Sequence, residues 1–91
     1  MAVINWTHRS VNDLRNIAEF IEKDSVKYAS LTIQRLLNAT HLLEENPRVG
    51  RKVPEAGHKD KIREIIQGNY RIIYQIANED LINILTVHHS S

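Results

Sequence analysis

The chain has no cysteine, three glycines, two prolines and 5% aromatic residues. Without a thiol there is no disulfide framework, no cysteine nucleophile and no cysteine-based zinc site, which suits a reducing compartment. No apolar run approaches the roughly 18 residues of a membrane-spanning helix. Met1 to Trp6 also lacks the basic-then-apolar pattern of a signal peptide. The expectation is therefore a cytoplasmic protein with no membrane partner. Charge of one sign is missing as well: twelve Lys and Arg against eleven Asp and Glu leave a net +1, unlike a dedicated nucleic-acid binder. No Gly-rich phosphate cradle, nucleophile elbow or Ser-His-Asp order occurs, so no cofactor is expected. His88 and His89 are adjacent in a strand-like run and would point to opposite faces. With no third ligand beside them, no metal is expected.

What remains is ordinary globular material. Hydrophobic content of 42% and charged content of 25% across 91 residues predict a single domain, 1–91, with one core. The charge is unevenly placed. From Arg48 to Arg71 there are seven basic residues against three acids, while the rest of the chain carries five against eight. A basic middle points to an acidic or polyanionic partner, or to a solvated Lys-rich loop.

Spacing supplies the elements. Ala2 to Trp6 reads as a short strand. Ser10, with Asp13 three residues on, resembles a capping box; Val11, Leu14, Ile17, Ala18 and Ile21 then recur at helical intervals. Asp24-Ser25 breaks this helix. A second runs from Val26 to Glu45, and Asn46-Pro47 stops it because the residue before proline is pushed out of the α region. The break is short, so the two helices form an antiparallel hairpin. Pro47 to Lys61 reads as a long loop of the kind that often carries function. Strands follow at Ile62–Gln67, Tyr70–Ile76 and Leu81–His88, with Gly68-Asn69 as a tight hairpin turn and Ala77 to Asp80 as a second turn. The fold class is α+β: β-α-α-β-β-β, with the helical hairpin on one face of a mostly antiparallel twisted sheet.

Strand parity then sorts the side chains. A two-residue first turn sets Gln67 opposite Tyr70, Glu64 opposite Ile73 and Arg63 opposite Tyr74; a four-residue second turn sets Ile76 opposite Leu81 and Arg71 opposite Thr86. One face then holds Arg63, Ile65, Gln67, Tyr70, Ile72, Tyr74, Ile76, Leu81, Asn83, Leu85 and Val87, and takes the helices. The other holds Ile62, Glu64, Ile66, Arg71, Ile73, Gln75, Ile82, Ile84, Thr86 and His88. Nothing in the chain is left to cover it. Its five isoleucines, Ile62, Ile66, Ile73, Ile82 and Ile84, are therefore candidate contacts for another polypeptide. A bulge in either turn would swap the faces. Arg71 and His88 fall close together on this face, with Glu64 nearby and Glu55 in the loop. Such groups can stabilise a phosphorane and move protons, as RNA cleavage through a 2′-hydroxyl requires. The alternative is a structural Arg71–Glu64 ion pair with His88 at a frayed strand end.

Trp6, Asp13-Leu14, Ile17 and Phe20-Ile21 resemble the first helix region of the ParE/RelE toxin superfamily. So do, in order, Asn46-Pro47, Gly50-Arg51-Lys52-Val53-Pro54-Glu55, Ile62-Arg63-Glu64-Ile65, Gly68 to Tyr74 and Val87-His88. The resemblance spans nearly the whole chain and is strongest to the ParE branch. It implies a cytoplasmic toxin of a type II toxin–antitoxin system, bound and neutralised by a cognate antitoxin whose segment wraps the sheet and helices. ParE-type members poison DNA gyrase, a binding activity without chemistry of their own. RelE-type members cut mRNA on the ribosome, and for them the resemblance implies that Arg71 binds phosphate while Glu55 and His88 serve as base and acid. His89-Ser90-Ser91 offers neither the tyrosine that branch commonly uses nor the further basic residues that often follow the histidine in the ParE branch; the modest net charge and the Val53-Pro54-Glu55 motif motivate the gyrase reading. A chain retained only to pair with its antitoxin is the third possibility.

Overall fold

Thr7, rather than Ser10, opens the first helix. Its hydroxyl oxygen accepts the Ser10 N–H at 3.2 Å, and the buried Ser10 hydroxyl donates back to the Thr7 carbonyl at 2.8 Å. In a computed structural model that describes residues 1–54 and 61–90, the order is β1 (Val3–Trp6), α1 (His8–Glu22), α2 (Val26–Glu45), β2 (Arg51–Lys52), β3 (Ile62–Gln67), β4 (Tyr70–Asn78) and β5 (Leu81–His89). Ser25 caps α2 through the Tyr28 N–H at 3.0 Å. Asp13, expected in a capping box, instead turns to β5. There its Oδ2 accepts the Val87 N–H at 3.0 Å and the Thr86 hydroxyl. The β1–β5 pairing ends at Ile84, so this carboxylate satisfies a backbone donor that β1 does not reach.

The sheet is mixed, in the order β1-β5-β4-β3-β2. The edge strand β1 runs parallel to β5, and the other pairs are antiparallel. Both helices lie on one face. Leu36, Ala39 and Leu43 of α2 meet Ile72, Tyr74 and Ile76 of β4 and Ile82, Ile84 and Val87 of β5, with Leu14 and Ile17 of α1 closing the side. Each fully buried aliphatic side chain here is worth about 1.5–3 kcal/mol.

The first hairpin has the expected register: Gln67 opposite Tyr70, Glu64 opposite Ile73, Arg63 opposite Tyr74. Gly68 has φ +60°, and no other residue among those described has a positive φ. Glycine first and asparagine second at these signs fits a type II′ turn. The second turn differs. Asn78 pairs with Leu81, leaving only Glu79 and Asp80 between them, and the Asp80 N–H donates to Asn78 Oδ1 at 2.8 Å. Ala77 is then an extra residue between the Ile76–Ile82 and Asn78–Leu81 pairs. That bulge rotates Ile82 and Ile84 onto the helix-covered face, where both are wholly buried, and it corrects their assignment to the open face. A second bulge at Leu85, between the Tyr74–Ile84 and Ile73–Thr86 pairs, restores parity. Beyond it Val87 is core and Arg71 stands opposite His88, rather than opposite Thr86.

Candidate functional site

The open face of β3 and β4 carries one buried charge. Glu64 sits between Arg51 on β2 and Ile73 on β4, with Arg71 diagonal to it. Its carboxylate is 1% exposed because the two arginines lie over it. Arg51 Nε donates to one oxygen; Arg71 donates to the other through Nε at 3.0 Å and through a terminal amine. Burial alone would raise the Glu64 pKa, but the hydrogen bonds and charges of Arg71 and Arg51 outweigh it and hold the carboxyl below its ordinary value. This is the ion-pair arrangement, with the addition of Arg51. A two-residue strand inside an expected loop has too little periodicity to reveal Arg51 from sequence.

The same segment is tied to the covered face by Tyr74. Its hydroxyl donates to the Pro47 carbonyl at 2.7 Å and accepts the Gly50 N–H at 3.0 Å. Burial raises the Tyr74 pKa, against the opposing pull of the Gly50 bond and the Arg63 charge. Arg63 reaches the Gly50 carbonyl at 3.0 Å. A Cβ on Gly50 would stand 2.5 Å from the Tyr74 hydroxyl and 2.6 Å from the Glu64 carbonyl oxygen, so only glycine fits this crossing.

Of the three candidate catalytic groups, Arg71 and His88 are register partners. His88 is exposed, with Nδ1 3.2 Å from the His89 carbonyl oxygen, while Glu55 lies outside the described residues. Of the five isoleucines, Ile62 and Ile73 are half-buried on the open face, Ile66 is 47% exposed, and Ile82 and Ile84 are core. Across the rest of the face runs a polar ladder that sequence reasoning missed: Asn5 Nδ2 donates to Asn83 Oδ1 at 2.9 Å, and Asn83 Nδ2 to Gln75 Oε1 at 3.2 Å. Among the described residues no group of three His, Cys, Asp or Glu is placed to hold a metal ion, and no helix is long and apolar enough to cross a membrane.

A helical hairpin on one face of a mixed five-stranded sheet is also the architecture of a chain in a solved structure described as "Chromosomal ParDE TA system from P. aeruginosa". The two match with a TM-score of 0.80 over 100% of this chain and 98% of that one, at 16% identity, which is a likeness of fold. Sequence narrows the assignment. The family model for "ParE toxin of type II toxin-antitoxin system, parDE" matches residues 4–91. The Sinorhizobium fredii (strain NBRC 101917 / NGR234) protein named "Putative toxin Y4kP" is 34% identical over 89 residues, 96% of this chain and 86% of that protein. The chain belongs to the ParE toxin family of type II toxin–antitoxin systems.

Proposed function

We propose that this ParE-family chain inhibits growth in the cytoplasm by binding DNA gyrase and holding it on cleaved DNA, and that a cognate antitoxin neutralises it. Membership in the family supports the toxin reading. The observation that favours binding over RNA cleavage is the Arg71–Glu64 pair. An arginine that stabilises a phosphorane must aim its fork at the developing charge, whereas Arg71 gives Nε and a terminal amine to a buried carboxylate. The test is a supercoiling reaction with purified gyrase: the chain should lower supercoiling and accumulate cleaved DNA, and unchanged supercoiling with no cleaved product sinks the proposal.

For the antitoxin, the support is Ile62, Ile66 and Ile73 on the face the helices leave open. Beside them, β2 pairs with β3 only through Arg51 and Lys52. Past Glu64 no described strand lies along that edge, a place where a partner strand can add. Replacing Ile66 and Ile73 together should release the antitoxin from the purified complex; full retention would place its contacts elsewhere. The second reading, a ribosome-dependent endoribonuclease, rests on the direct Arg71–His88 pairing. It requires mRNA cleavage on translating ribosomes that Arg71→Ala abolishes.

A further inference from the structure

A slot opens between the helical hairpin and the Gly68-Asn69 turn. Tyr28, Thr32 and Arg35 line it from α2 at intervals of four and three residues, so they share one stripe of the helix. Asn69 and Tyr70 line the opposite wall, and Leu36, 1% exposed, forms the floor. His89 meets the Tyr70 ring edge-on at 5.5 Å between centroids, bracing that wall. The slot is half open to solvent and holds about 160 Å³, room for a single side chain or a small ring.

Arg35 is the only charged residue of this lining. The positions three and four residues from it on α2 are Leu31, Thr32, Asn38 and Ala39, none of them acidic, and Arg35 makes no hydrogen bond or ion pair with a described residue. The other polar side chains of the lining are the Tyr28, Thr32 and Tyr70 hydroxyls and the Gln67 and Asn69 amides, all able to donate. An exposed guanidinium with no partner among the described residues, lining a slot with a buried leucine and several neutral donors, is complementary to one negative charge on an apolar stem. The geometry points to a binding site for a carboxylate on a short apolar stem, gripped by Arg35 and seated against Tyr70 and Leu36. A planar carboxylate matches the guanidinium fork with two parallel bonds. A phosphate dianion would leave its second charge without a cation.

The slot adjoins the β3 edge through Gln67, but its test uses neither gyrase nor antitoxin, so the outcome of the supercoiling reaction does not bear on it. The experiment is a titration of the isotopically labelled full chain, following the backbone amides of Thr32, Arg35, Gly68 and Asn69. Benzoate should shift these signals saturably, with a midpoint on the order of 10 mM, the scale for a ligand of so few atoms. Benzamide, of the same shape without the charge, should bind at least ten-fold more weakly. Arg35→Gln should abolish the benzoate shifts while leaving the rest of the spectrum in place, and Arg35→Lys should keep a weakened response. A blocked Ala-Glu-Ala peptide distinguishes the sources: shifts at the same amides assign the site to an acidic side chain of a polypeptide, and their absence beside a benzoate response assigns it to a free small acid. Equal binding of benzamide, tighter binding of phenyl phosphate, an unchanged response in Arg35→Gln, or no saturable shift overturns the proposal.

Discussion

The two faces of this sheet are held by different physics. On the helix-covered face, side chains from α2, β4 and β5 exclude water almost completely, and the polar atoms buried there include the Tyr74 hydroxyl, which is hydrogen-bonded, and Arg63 Nε, which has no hydrogen-bond partner. On the open face, neighbouring strands are joined by hydrogen bonds and charges: the Asn5–Asn83–Gln75 ladder and the Arg51–Glu64–Arg71 cluster. The lesson lies in sensitivity. Apolar burial sums over many contacts and ignores pH, whereas the open face concentrates its cohesion in one carboxylate.

The largest effect should come from the covered face. Leu43→Ala removes a wholly buried side chain and should cost about 3 kcal/mol in urea unfolding, with little dependence on pH. Less than 1 kcal/mol would mean that the core can collapse around the loss. Next is Glu64→Ala, at about 2 kcal/mol near pH 7, because Arg71 is left partly buried without its carboxylate; the exposed Arg51 adds little in water. Here the sign of the pH dependence is fixed. The folded pKa of Glu64 lies below its unfolded value, so its contribution is complete above the unfolded value. It shrinks as pH falls through 4.5 and is lost below the lowered folded pKa. Wild type and Glu64→Gln should therefore converge in stability on acidification, and a gap that stays constant would show that packing accounts for the role of Glu64.

Why the covered face was legible and the open face only partly so follows from which signals are local. The α2 boundaries rest on Ser25 at one end and Asn46-Pro47 at the other, both visible in sequence. The first hairpin register follows from Gly68, whose positive φ suits the turn. The second turn carries no such mark: Ala77 and Leu85 are ordinary strand residues, and their bulges arise from how β4 fits β5. Two parity shifts then cancel, so Thr86, Val87 and His88 were placed on the correct faces while Ile82 and Ile84 were not. At the α1 start, Thr7 and Ser10 both carry capping hydroxyls, and the choice fell to Thr7 because its hydroxyl also reaches the Ile84 carbonyl at 2.7 Å. That partner is 77 residues away, a contact no local pattern encodes.

Between the two faces lies the crossing of Gly50 and Tyr74, which tests whether they are independent. Tyr74→Phe removes the acceptor of the Gly50 N–H and the donor to Pro47, and should cost about 1 kcal/mol. Gly50→Ala should cost more on its own, since its Cβ meets both the Tyr74 hydroxyl and the Glu64 carbonyl. In the double variant the hydroxyl clash is gone while the Tyr74 ring carbon, 2.8 Å from the Cβ, and the Glu64 carbonyl remain, so the combined loss should fall modestly short of the sum of the two. Strict additivity, measured by urea unfolding of all four proteins, would mean that the segment yields toward Glu64 rather than toward Tyr74.

The smallest effect on stability should come from Ile66→Thr, which keeps the β-branched shape while replacing a methyl-bearing arm with a hydroxyl. At a site 47% exposed, the change in unfolding free energy should stay within about 0.5 kcal/mol. Binding should respond differently. If the antitoxin buries this side chain, the lost apolar contact corresponds to about a ten-fold weaker affinity, readable by calorimetry with the co-expressed antitoxin, while gyrase inhibition by the isolated chain stays unchanged. That split, with partner affinity moving and stability fixed, is the reverse of what Leu43→Ala should show. Unaltered antitoxin affinity in Ile66→Thr would move the partner off the β3 edge and leave the open face of the sheet to the target.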